Sequence, residues 1–147
     1  RSLKDKTPVF GMIERGGKVN SKVVKSTTAN ELIPIILRNV ELGDTTYTDE
    51  WMAYTDLGKY FDHSQVNHGA KQYVVGNAHT NTIENFWSQL KRAIVNPHRF
   101  VSSKHLQRYV DEFVFRHNTC KMQTKERFIH LITNNKGSYL THKELIA

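Results

Sequence analysis

The sequence predicts an α/β domain, and three features predict it. Val9-Phe10-Gly11-Met12-Ile13-Glu14 and the stretch Val19 to Val24 flank Arg15-Gly16-Gly17-Lys18, the pattern of two strands joined by a glycine turn. Two further short strand-like stretches, Thr45-Thr46-Tyr47-Thr48 and Ser64-Gln65-Val66-Asn67, lie between segments of helical periodicity. From Thr80 onward the apolar spacing is clearly helical. The order hairpin, helix, strand, helix, strand, then several helices builds a small mixed sheet flanked by helices, with a helical C-terminal part.

Each element has a local reason. The Gly16-Gly17 pair tolerates the positive φ of a hairpin turn. Thr28 or Asn30 can cap a first helix through Leu32, Ile33, Ile36, Leu37 and Val40, which puts Pro34 in its first turn, where a missing N–H costs nothing. Gly43 reads as the end of that helix. The β-branched stretch Thr45 to Thr48 leads directly to Asp49, and Trp51 to Tyr60 reads as a short helix. Residues 69–78 read as a loop. Ile83, Phe86, Trp87, Leu90 and Ile94 then mark one face of a helix that should end before Pro97. A second helix follows Ser102 or Ser103, with Leu106, Tyr109, Val110, Phe113 and Val114 on its stripe, and a third, from Lys125 to Thr133, carries Phe128, Ile129, Leu131 and Ile132.

At 147 residues the chain has the length of one domain, 1–147, able to bury its own core. No apolar run approaches the roughly 20 residues a spanning helix needs, which argues against a membrane partner. The single cysteine, Cys120, excludes a disulfide framework and a cysteine-only zinc site, fits a reducing compartment, and has no activating surroundings in sequence. Arg1-Ser2-Leu3-Lys4-Asp5-Lys6 has neither an initiating Met nor the apolar core of a signal peptide, so the chain is expected to be a piece of something longer.

The net charge of +7 is unevenly placed. Residues 1–25 carry a net +5, residues 41–62 a net −5 and residues 91–127 a net +6. An acidic middle between basic flanks suits a site where carboxylates hold a divalent metal and lysines and arginines hold a phosphate backbone. Charged helix surfaces that bind nothing are the alternative.

Asp49 stands just past a short strand, where α/β sheets form their sites. Glu84 lies in the first turns of the Trp87 helix, between Ile83 and Trp87, and reads as a carboxylate at the margin of the apolar face, turned to the sheet. Each also has a structural reading: Asp as a turn former, Glu as a partner of the helix dipole.

The wording around these residues goes further. Tyr47-Thr48-Asp49-Glu50-Trp51, Val66-Asn67-His68, and the run from His79-Thr80-Asn81-Thr82-Ile83-Glu84 through Trp87-Ser88-Gln89-Leu90-Lys91-Arg92 closely resemble DDE-type insertion-sequence transposases, in particular the ISXO-like group. The likeness extends from Lys6-Thr7-Pro8-Val9-Phe10-Gly11 to Arg116-His117-Asn118. It implies a ribonuclease-H-like fold, a single integrase-like catalytic domain, DNA as partner, an intracellular bacterial setting on the nucleoid, and acidic residues holding Mg²⁺ or Mn²⁺. Asp49 matches the family's second Asp and Glu84 its final acidic position. Lys91 and Arg92 are the implied phosphate contacts, and His68 and His79 match site-lining positions of the family. A zinc site would want a close His pair on a helix or a Cys pair, and neither occurs.

One departure bears on activity. The family's first catalytic Asp belongs on a strand upstream of Lys6-Thr7-Pro8, and Asp5 stands in a polar run that is no substitute; Asp44 and Asp56 match no catalytic position. The expectation is an N-terminally truncated domain with incomplete chemistry. Its alternatives are a DNA-binding remnant without catalysis, or a structural fragment forming a homo-oligomer through an unpaired sheet edge.

Overall fold

The structure, a computed structural model, describes residues 6–66, 81–98 and 100–134. Strands β1 (Val9–Ile13) and β2 (Val19–Val23) form the expected antiparallel hairpin, with Val9 opposite Val23 and Ile13 opposite Val19. The turn closes where Glu14 N–H donates to the Lys18 carbonyl at 3.0 Å, with Gly16 at φ 68°. A side chain there would be strained, which is why glycine occupies the position.

Strand alternation divides the hairpin between two cores. Phe10 joins Val24, Leu32, Ile36, Ala53, Leu57 and Phe61, with Met12 packed alongside. Val19 joins Phe86, Leu90 and Val110 on the opposite face, with Val9, Ile13 and Val23 against them. Helix α1 (Ala29–Leu37) covers the first face. Thr28 occupies its N-cap position in extended conformation, but its hydroxyl pairs with Ser26 Oγ at 2.9 Å and caps no helical N–H. Pro34 is the sixth residue of α1, not in the first turn as its chemistry suggests, so the helix forgoes one bond to the Asn30 carbonyl. The helix also stops earlier than Gly43. Asn39 ends it by donating from Nδ2 to the Ile35 carbonyl at 2.7 Å, and Gly43, at φ 88°, turns the chain into the next strand.

Strand β3 (Thr45–Thr48) and strand β4 (Asp62–Gln65) pair in parallel, Thr45 opposite Asp62 and Thr48 opposite Gln65. The connection between them is an eight-residue 3₁₀ helix, Met52–Lys59, whose Ala53 and Leu57 are buried. Strand β4 begins two residues before the expected stretch. Helices α2 (Asn81–His98), α3 (Ser103–Asn118) and α4 (Thr124–Asn134) follow. Pro97 does not stop α2, because proline's φ is helical and its loss falls on one bond in the last turn. Ser102 holds the N-cap position of α3, as expected. On α4, Phe128, Ile129, Leu131 and Ile132 are all exposed.

The architecture is mixed α/β with a helical C-terminal part, compatible with a ribonuclease-H-like domain. Its four described strands form two separate pairs, one antiparallel and one parallel, where a single mixed sheet was expected. One core joins Phe10 of the hairpin, α1, the 3₁₀ helix and Phe61, the residue before β4.

The sheet edges are treated unequally. Val24 N–H donates to the Pro8 carbonyl, which fixes the hairpin phase so that the backbone groups of Val19, Ser21 and Val23 on β2, and of Val9, Gly11 and Ile13 on β1, point away from the partner strand. Side chains of α3 seal the β2 edge: Gln107 Oε1 accepts from Val23 N–H at 2.6 Å, and Asn118 bonds both backbone groups of Val19. Among the described residues, nothing bonds the outward groups of Val9, Gly11 and Ile13.

Candidate functional site

Strand β3 ends at Thr48, and the chain turns at once through Asp49 and Glu50 into the 3₁₀ helix. This turn is held from several sides. Asp49 Oδ1 accepts from Trp51 N–H at 3.2 Å, a side-chain-closed turn of the kind Asp favours. Trp51 Nε1 donates to the Thr27 carbonyl at 2.9 Å, tying the turn to the segment before α1. Thr48 Oγ1 donates to the Asp49 carbonyl at 2.8 Å and lies 2.8 Å from His63 Nε2 on β4. Asp49 itself is exposed.

Electrostatics mark the same spot. The Tyr54 phenol is pushed up to about 12, first by burial and second by the negative charge of Asp49. Burial also holds the His63 imidazole below its ordinary value. Both groups are therefore neutral at pH 7, Tyr54 in the field of the Asp49 carboxylate and His63 against the Thr48 hydroxyl.

Glu84 sits in the first turn of α2 and is exposed, which corrects the expectation that it faces the sheet. At about 100° per residue, the stripe of Ile83, Phe86, Leu90 and Ile94 occupies one arc, and Glu84 lies beyond its rim. Sequence adjacency to Ile83 and Trp87 misleads here because neighbours on a helix point in different directions. Lys91, seven residues on, is about 20° from Glu84 around the axis, so the two share an exposed face. Arg92 is exposed too, with Nε donating to the Ser88 carbonyl at 3.4 Å. Helix α2 packs against β1 and α3.

The structure thus gathers Asp49, Thr48, Trp51, Tyr54 and His63 at one strand end, and groups Glu84 with Lys91 on α2. His68 and His79 lie outside the described residues. Among the described residues, no group of three or more His, Cys, Asp or Glu side chains is placed to hold a metal ion. Nor is any helix among them long and apolar enough to cross a membrane. Sequence reasoning missed Thr48 and Tyr54 as neighbours of Asp49. The available signal for Tyr54 was its position one 3₁₀ turn after Trp51, on the helix that follows Asp49.

Comparison with known proteins follows the same line. The family described as ISXO2-like transposase domain matches residues 1–118. An uncharacterized protein in transposable element ISH50 of Halobacterium salinarum is 34% identical over 125 residues, covering 83% of this chain and 42% of that protein. The chain thus spans less than half the length of that relative. No solved structure matches. With a family match across most of its length, the chain belongs to the ISXO2-like transposase domain family.

Proposed function

We propose that this domain carries out DDE-type DNA transposition chemistry, the metal-dependent hydrolysis and strand transfer of phosphodiesters at insertion-sequence ends, with Asp49 and Glu84 as two of its acidic residues. The observation that carries this reading is the setting of Asp49: an exposed carboxylate at the C-terminal end of a parallel strand, on a turn fixed by its neighbours, with its charge felt by Tyr54. Family membership supports it. Work on DNA would place the protein on the nucleoid.

The donor chemistry fits a hard divalent cation, since both residues offer carboxylate oxygens and Asp49 Oδ2 accepts no hydrogen bond from a described residue. Asp49 and Glu84 would hold Mg²⁺ or Mn²⁺, which when bound supplies activation of the attacking oxygen and stabilisation of the leaving one. The protein's own part is positional. Asp49 is presented by a turn already locked to β4 and to the segment before α1, so little ordering remains when a ligand arrives. Lys91 and Arg92, on the exposed side of α2, offer cations to the DNA backbone, and His68 and His79 complete the contact set in this reading.

Calorimetry with Mn²⁺ tests the assignment. Asp49→Asn and Glu84→Gln should each weaken binding, and Glu84→Gln should abolish Mn²⁺-dependent plasmid nicking. Two variants that bind Mn²⁺ as the parent does would overturn it.

A second reading is favoured by one observation, the outward backbone groups of Val9, Gly11 and Ile13 left unbonded by described residues. In it, a second copy of the chain pairs along that edge and the domain assembles as a homo-oligomer. Sedimentation showing a concentration-independent monomer would exclude this reading.

A further inference from the structure

We infer that His63 is a positioning residue for Asp49, acting through the hydroxyl of Thr48, given the reading of Asp49 as a metal ligand on which this role rests. A threonine hydroxyl has one proton to give. Thr48 Oγ1 gives it to the Asp49 carbonyl at 2.8 Å. The 2.8 Å approach between the same oxygen and His63 Nε2 must then run the other way, with the ring nitrogen donating. His63 therefore carries its proton on Nε2, and the chain of donors runs His63 to Thr48 to the backbone of Asp49.

The topology explains why this arrangement holds. Strands β3 and β4 are parallel, with Thr46 opposite His63 and Thr48 opposite Gln65. A side chain as long as His63 reaches diagonally along the shared face to Thr48, the last residue before the turn. Among the described residues, the ladder beyond Thr48 continues only through Val66 N–H to the Thr48 carbonyl at 2.9 Å, so none of their strand pairing fixes the plane of the peptide after Asp49. The hydroxyl bond to the Asp49 carbonyl fixes it, and the bond from the half-buried His63 fixes the hydroxyl. Partial burial favours the uncharged ring, so it donates this bond as a neutral imidazole.

This is the arrangement that outer partners of metal ligands adopt, in which a group that never touches the ion sets the direction of one that does. It differs from the usual case in acting on the ligand's backbone.

The test uses the 147-residue chain, Mn²⁺ as probe, and two independent readouts. His63→Leu and Thr48→Val should each weaken Mn²⁺ binding by about tenfold, the low end for outer partners of a metal site. His63→Gln, which keeps an N–H donor at the same reach, should restore binding to within about twofold while melting at the same temperature as His63→Leu. Nitrogen-15 NMR should show neutral His63 protonated on Nε2. If His63→Leu binds Mn²⁺ as the parent does while Asp49→Asn does not, the relay is refuted and the ligand assignment stands. If Asp49→Asn also binds normally, both fall. A neutral ring protonated on Nδ1 refutes the relay whatever the metal data show.

Discussion

Asn118 grips Val19 twice: its Oδ1 accepts from the Val19 N–H and its Nδ2 donates to the Val19 carbonyl, each at 2.8 Å. The primary amide at the end of α3 thus imitates the backbone of a neighbouring strand and closes one end of β2, while Gln107 closes the other. Replacing Asn118 by Ala leaves two part-buried backbone groups unpaired. The expected cost is about 1–3 kcal/mol, read as a lower urea midpoint. Asn118→Asp should be destabilising as well, because it keeps the acceptor but sets an oxygen against the Val19 carbonyl.

Gly11 is required by a close approach. A Cβ there would lie 2.6 Å from Trp87 Cη2 and 2.7 Å from Cζ2, atoms of a ring packed into the second core. Gly11→Ala is expected to destabilise by about 1–3 kcal/mol through overpacking. Trp87→Phe removes the offending atoms, so the double variant should lose less than the two single variants combined, measured as a coupling energy in a double-mutant cycle.

Tyr54 gives a pH dependence with a definite sign. Its phenol titrates at about 12 in the folded chain against 10.0 as reference, with burial the larger cause and Asp49 the smaller. The unfolded state therefore releases the proton first, and stability from this group is full below pH 10 and is lost as pH rises through 12. Urea unfolding at pH 8 and pH 11 should show a drop that is smaller in Tyr54→Phe. Asp49→Asn should shift the Tyr54 titration only slightly downward, because burial dominates.

Lys91 and Arg92 should report on DNA through salt. Lys91→Ala with Arg92→Ala is expected to weaken binding to duplex DNA and to reduce the log–log salt slope by about one for each phosphate no longer neutralised. Fluorescence anisotropy across a salt series measures this, and an unchanged slope places the backbone elsewhere on the surface.

The parts of the fold legible in sequence are those fixed locally. The hairpin followed from Gly16 and Gly17 between apolar runs, and α2 from the spacing of Ile83, Phe86, Leu90 and Ile94. Asp49 was legible as a strand-end acid because β3 is short and β-branched. What failed required relations across the chain or around an axis. Glu84 was read from its neighbours, whereas rotation about α2 carries it past the apolar arc. Pro34 was placed in the first turn on propensity, and packing of Leu32 and Ile36 outweighs its lost bond. The sealing of β2 joins residues 99 and 84 positions apart, and no local pattern encodes it.

The long reach from Val19 to Asn118 also sets an order of events during synthesis. At about 5–20 residues per second, some 5–20 s separate the emergence of β2 from that of the amide that seals it. Through that interval the hairpin leaves the ribosome with an open ladder on a growing polypeptide. A nascent-chain chaperone, or slow translation just before α3, would act on this strand while its edge is open.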